Sequence, residues 1–153
     1  SYQALFLVLI WIKKRSSTNQ FFDMFMKGTP SPNVIYPVGD VHDLADLHIL
    51  AMEKEVADGQ RFIAESEEMT MPQMARLLKE QYPNYKVRTM VIPNFVIGIM
   101  AHFQAPMKVL NTMIGLKYHQ NNTKARTLLG WNPRPAKETV LDTVNYMIAS
   151  HII

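Results

Sequence analysis

The residues from Val34 to Glu65 constrain the fold more than any other stretch. Val34 to Val38 is a short extended piece that breaks at Gly39. Asp40 and Asp43 then stand where the first-turn N–H groups of a helix lack partners. A carboxylate there accepts those hydrogen bonds and sits well in the positive end of the helix dipole. Asp43, directly ahead of the apolar residues, is predicted as the stronger cap. Leu44, Leu47, Ala51 and Met52 follow at the spacing of one buried stripe, and Asp58-Gly59 ends the helix. Gln60 to Glu65 reads as a second strand. Strand, capped helix and strand together make half of an α/β layer.

On either side the pattern stays mixed. Ser16-Ser17-Thr18 caps a short helix over Asn19 to Lys27, whose apolar side is Phe21, Phe22, Phe25 and Met26. Residues 28–33 hold two prolines with Gly and Asn and form a loop. Thr70 is a natural N-cap, with Pro72 in the first turn of a helix that buries Met74, Leu77 and Leu78 and stops at Tyr82-Pro83. Lys86 to Ile92 reads as a strand. A methionine-rich helical stretch covers 100–114 with a break at Pro106, and its methionines, with Met90, are expected mainly in the core. Gly130 ends a short helix begun by Asn or Thr, and Lys137 to Ile148 closes the chain as an amphipathic helix.

At 153 residues the chain has one domain's worth of sequence, able to bury about two-thirds of its unfolded surface. Having no cysteine, it has no disulfide framework, which fits a reducing, cytoplasmic setting. A net charge of +3 is too small and scattered to argue for nucleic acid. Arg76, Lys79, Lys86 and Arg88 are not followed by a recognition helix. Ala4 to Ile12 is a nine-residue apolar run, too short for a bilayer and without signal-peptide flanks. It reads as a strand buried on both faces. Asp40, His42, Asp43, Asp46 and His48 are better explained by capping than by a metal, because His48 lies about 240° round the helix from His42.

Two segments carry a resemblance. Asp40-Val-His-Asp-Leu-Ala-Asp-Leu-His-Ile-Leu-Ala-Met with Gly59-Gln-Arg-Phe-Ile resembles the middle of an extended short-chain dehydrogenase/reductase of the dihydroflavonol-reductase-like and aldehyde-reductase-like branch. That family typically reads D-V-R-D-V-A-D-x-H-x-x-A-M there, so His42 replaces its usual Arg. Asn121-Asn-Thr-Lys-Ala-Arg-Thr-Leu-Leu-Gly-Trp-Asn-Pro-Arg134 is similar to the family's C-terminal signature, which ends L-G-W-x-P-R.

The resemblance implies an α/β fold: the C-terminal, substrate-binding part of an extended Rossmann-type reductase, with one or two strands of the parallel sheet and several helices. Residues 1–153 are then a single partial domain, with 1–15 a buried strand and turn and 16–153 the substrate-binding region. It also implies NADP as cofactor, bound mainly by an N-terminal half, and a small carbonyl compound as substrate. Ser16 and Ser17 are expected near the cofactor, and Thr18, Phe21 and Tyr36 near the substrate. The family's glycine-rich turn is absent, and a catalytic Tyr-x-x-x-Lys pair is expected to be absent too. No catalytic residue and no metal ligand is therefore assigned, and the isolated chain is expected to be inactive and prone to self-association. The other reading is a non-catalytic α/β binding or interaction module, with neither nucleic acid nor membrane as partner.

Overall fold

The computed structural model describes residues 17–103, 108, 111–114 and 120–153. The apolar run Ala4–Ile12, Ser16 and Met107 lie outside the described residues, as does much of the stretch 100–114. The fold is α/β. In chain order it runs α1 (Ser17–Met26), β1 (Ser31–Pro32), β2 (Ile35–Val38), α2 (Val41–Glu53) and a 3-10 turn (Glu55–Ala57). Then come β3 (Glu67–Thr70), α3 (Met71–Gln81), β4 (Val91–Ile92), α4 (Asn94–Ala101), α5 (Thr123–Leu129) and α6 (Ala136–Ala149).

Two small sheets carry the strands. β1 runs parallel to β4, with Ser31 opposite Val91, and β2 runs antiparallel to β3, with Ile35 opposite Thr70 and Val38 opposite Glu67. The second strand of the central unit is thus displaced from its expected place at 60–65. Asn122 Nδ2 donates to the Glu65 and Ser66 carbonyls at 2.7 and 3.1 Å, so a side chain takes acceptors that a ladder would have used. Pairing begins one residue later. The strand expected over Lys86–Ile92 shrinks to its last two residues.

Most of the core is one cluster. Phe22 and Phe25 of α1, Val34 and Val38, Met74 and Leu78 of α3, and Val140, Val144 and Met147 of α6 meet there. Burying each large side chain contributes roughly 1.5–3 kcal/mol. α3 is positioned by a capping box: Gln73 N–H donates to Thr70 Oγ1 at 3.3 Å, and Thr70 N–H donates to Gln73 Oε1 at 2.7 Å. α6 begins on β3, because Ala136 N–H donates to Glu67 Oε2 at 3.0 Å. A smaller cluster joins Leu47 of α2 to Ala57, Ala125, Leu129 and Trp131.

The stripe on α2 is narrower than expected. Leu47 is buried, with Leu44, Leu50 and Ala51 half-buried, while Met52 is 79% exposed. Met52 lies about 140° round the helix from Leu47, outside any single apolar face. Of the methionines expected in the core, Met113 is half-buried against the main cluster and Met100 is half-buried, but Met90 is exposed.

Gly28 closes α1 with φ +83°, its N–H donating to Phe25 O and Thr29 N–H to Met24 O, each at 3.0 Å. A Cβ at Gly28 would run into the carbonyl oxygen of Lys86. Gly28→Ala should therefore cost more than the roughly 1–2 kcal/mol of a left-handed backbone alone. Gly59→Ala, at φ +67° with open space around it, should cost only the backbone part. Urea midpoints of the two variants check the difference.

Candidate functional site

Asp40 and Asp43 do different jobs. Asp40 is the N-cap of α2: its Oδ1 accepts from His42 N–H at 2.8 Å and lies 2.9 Å from His42 Nδ1. The expectation that Asp43 is the stronger cap fails, because its carboxylate faces the other end of the chain. Arg134 N–H donates to Asp43 Oδ2 at 2.9 Å and Arg134 Nε to Oδ1 at 3.3 Å. The buried Trp131 donates its indole N–H to the Asp43 carbonyl at 2.7 Å. Arg134 Nη1 also lies 3.6 Å from Asp40 Oδ2 and 3.7 Å from Asp142 Oδ2. Burial alone would lower the Arg134 pKa, but the three carboxylates outweigh it and raise it, so Arg134 stays charged.

A second group of side chains lies on α1 and β2. Phe21 stacks edge-on against Phe22, Phe25 and Tyr36, with the Tyr36 ring centroid 5.3 Å away. Thr18 stands one turn before Phe21 on α1 and is half-buried. Burial pushes the Tyr36 phenol upward, so it remains a neutral hydrogen-bonding group. Ser17 is the first residue of α1. Sequence reasoning singled out Phe21 and Tyr36 separately, and the structure puts their rings in contact.

Sequence reasoning missed a third feature, an apolar cleft of about 530 Å³ between α2 and residues 62–65. Leu44, Leu47, Ala51, Phe62 and Ile63 line it, together with Glu65. Glu65 is 5% exposed and its Oε2 has no hydrogen-bond partner. Burial first, and then the charge of Glu68, push its carboxyl up to about 7. The only signal in the sequence is a carboxylate one residue beyond an apolar segment, which is too common to single out.

One expectation about catalytic groups needs correcting. Tyr82 and Lys86 do stand at Tyr-x-x-x-Lys spacing. Tyr82, however, is the last cap of α3, and a turn closed by Tyr85 N–H on Tyr82 O separates the two, so no helix presents them together. The Tyr82 hydroxyl donates to Asn145 Oδ1 at 2.7 Å. Burial, Asp142 and Tyr85 raise its pKa, the opposite of what a lysine-activated proton donor requires. Among the described residues no three His, Cys, Asp or Glu side chains are grouped to hold a metal.

No family model matches the sequence. It is 35% identical over 71 residues to a Vitis vinifera anthocyanidin reductase, covering 46% of this chain and 21% of that protein. It is 28% identical over 109 residues to the NADPH-dependent methylglyoxal reductase GRE2 of Saccharomyces cerevisiae, covering 71% of this chain and 28% of that one. The solved yeast methylglyoxal/isovaleraldehyde reductase Gre2 complexed with NADPH superposes with a TM-score of 0.66 at 25% identity, over 92% of this chain and 38% of its own. The chain is homologous to the extended short-chain reductases. Gre2 from Candida albicans in complex with NADPH gives 0.65 at 24% identity, over 92% of this chain and 39% of that one. The chain therefore spans between a fifth and two-fifths of the length of these reductases.

The two Gre2 structures hold NADPH, and the residues present here do not fit its pyrophosphate. Close approach to phosphate needs clustered glycines at a helix start, and no two of the six glycines are closer than Gly28 and Gly39. The strand-turn-helix at β2–Gly39–α2 has the right outline, but the Asp40 carboxylate occupies that helix terminus and would repel a phosphate.

Glu65 makes stability depend on pH. Folded, it holds its proton up to about pH 7, whereas unfolded it releases it near the ordinary 4.5. Between these values the folded state binds more protons, so stability falls as pH rises and levels off above about 7. The difference in urea midpoint between about pH 5 and about pH 8 should shrink in Glu65→Gln.

Proposed function

We propose that these residues form the substrate-binding part of an NADP-dependent reductase that converts a small ketone or aldehyde to an alcohol in the cytoplasm. One observation carries this reading: the chain is alike in fold over 92% of its length to the NADPH-complexed methylglyoxal/isovaleraldehyde reductase Gre2, and alike in sequence over 71% of its length to the NADPH-dependent methylglyoxal reductase GRE2. Residues 1–153 act as a single partial domain, and NADP is held mainly by a portion of the enzyme outside them. That portion also supplies the proton donor. When bound, the cofactor provides the hydride. On this side of the site Thr18, Phe21 and Tyr36 receive the substrate, the rings packing its carbon skeleton and the hydroxyls orienting its polar group. The family resemblance assigns Ser16 and Ser17 to the cofactor.

A second reading, a non-catalytic α/β binding module, is favoured by two groups that are already committed. Asp40 caps the helix where a phosphate would otherwise dock, and the Tyr82 phenol is held by Asn145.

The isolated chain is expected to oxidise no NADPH with methylglyoxal or isovaleraldehyde, and to self-associate in sedimentation because surfaces shared with the rest of the enzyme are uncovered. Aldehyde titrations should nevertheless shift the NMR signals of Phe21 and Tyr36 saturably, and Tyr36→Ala should remove the effect. Aldehyde-dependent oxidation of NADPH by the chain alone would show a complete reaction centre here. Absence of any shift at Phe21 and Tyr36 would leave only the binding-module reading.

A further inference from the structure

The cleft between α2 and residues 62–65 has no part in the reductase reading. Its volume of about 530 Å³ falls in the range of small-molecule sites, roughly 300–1,000 Å³. Leu44, Leu47 and Ala51 of α2 face Phe62 and Ile63 across it. It is already shaped, because Asn122 Nδ2 fixes the Glu65 and Ser66 carbonyls at 2.7 and 3.1 Å, and Lys54 Nζ ties the end of α2 to Leu129 O at 2.8 Å.

Glu65 is the chemically informative group. Buried carboxyls are ordinarily hydrogen-bonded or paired with a cation, since leaving one without a partner costs about 1–3 kcal/mol or more. Asp40 and Asp43, the other two buried carboxylates, both face Arg134. Glu65 has no ion-pair partner among the described residues, and its Oε2 accepts nothing. The other charged or titratable groups nearby do not supply one. Glu68 of β3 has the same sign and accepts from Gln120 N–H at 3.1 Å. His48 lines the cleft with its Nδ1 against Leu44 O at 2.8 Å. Lys124 of α5 stands 5.3 Å from the centroid of the Phe62 ring and donates to Gln60 Oε1 at 2.8 Å.

We propose that this cleft binds an amphiphilic amine, its alkyl or aryl body against Leu44, Leu47, Ala51, Phe62 and Ile63 and its ammonium group donating to Glu65. An alcohol of the same shape would fill the apolar walls and satisfy one acceptor, but it would leave the buried Glu65 carboxylate without a counter-ion. An ammonium supplies one. A fatty carboxylate would meet two like charges. The site does not depend on the reductase reading, which places its carbonyl substrate at α1 and β2.

Calorimetric titration of the full chain at about pH 8 with n-octylamine, n-octanol and n-octanoate, all below their aggregation limits, tests this. Octylamine is expected to bind with a stoichiometry of one, about tenfold or more tighter than octanol, with octanoate weakest. Glu65→Gln should bring octylamine down to the level of octanol, and Ala51→Phe should weaken both by filling the cleft. On the unmodified protein, lowering the pH to about 5.5 should weaken octylamine alone. The same loss in His48→Gln would trace it to Glu65, so the proposal stands even if a cleft variant fails to fold. Equal binding of amine and alcohol would overturn it. So would unchanged amine affinity in a folded Glu65→Gln, or no saturable binding of either compound.

Discussion

The structure hangs on Asp43. Its carbonyl accepts the Trp131 indole N–H, and its carboxylate accepts both the backbone N–H and the Nε–H of Arg134. One residue in the first turn of α2 thus holds a segment some ninety positions later in the chain. Charge-assisted bonds to both carboxylate oxygens are among the stronger polar contacts available to a protein. They are also specific, because a guanidinium and an indole N–H approach from fixed directions.

That clasp decides where everything downstream goes. With Trp131 placed on α2, Leu129 and Ala125 of α5 fall against Leu47, forming the smaller cluster. With Arg134 placed, Pro135 leads directly into α6, whose first N–H reaches Glu67 on β3 and whose inner face completes the main core beside α3. The aromatic group on α1 and β2 is built on that core, and the cleft beside Glu65 is walled by the smaller one. Asn122 adds a second tie, from the start of α5 to the segment carrying Glu65. Both candidate sites therefore depend on contacts between sequence-distant elements.

The helices were the legible part of the sequence. Thr70 and Pro72 mark the start of α3, expected as a helix over Gln73 to Gln81 and found over Met71–Gln81, and the spacing of Met74, Leu77 and Leu78 gives its buried face, because capping and periodicity are local properties. The strands were less so. Nothing local in Gln60 to Glu65 reveals that Asn122, more than fifty residues on, will take its carbonyls. The choice between Asp40 and Asp43 as cap failed for the same reason: both have the right chemistry, and only the position of Arg134 separates them. Family likeness in the Asp40–Met52 and Asn121–Arg134 segments supplied the fold, and those two segments turn out to be the ones that bind each other. The proximity of Phe21 to Tyr36 and the isolation of Glu65 are tertiary facts that no periodicity carries.

A double-mutant cycle between Asp43→Ala and Arg134→Ala, read as urea unfolding free energies, tests most directly whether this clasp organises the chain. Each single change is expected to destabilise, and the double mutant to lose less than their sum, with a coupling of about 0.5–3 kcal/mol as found for groups in one network. Additivity within about 0.3 kcal/mol would mean that the two ends of the chain are held by apolar packing alone, and that Asp43 is not the residue on which the structure depends.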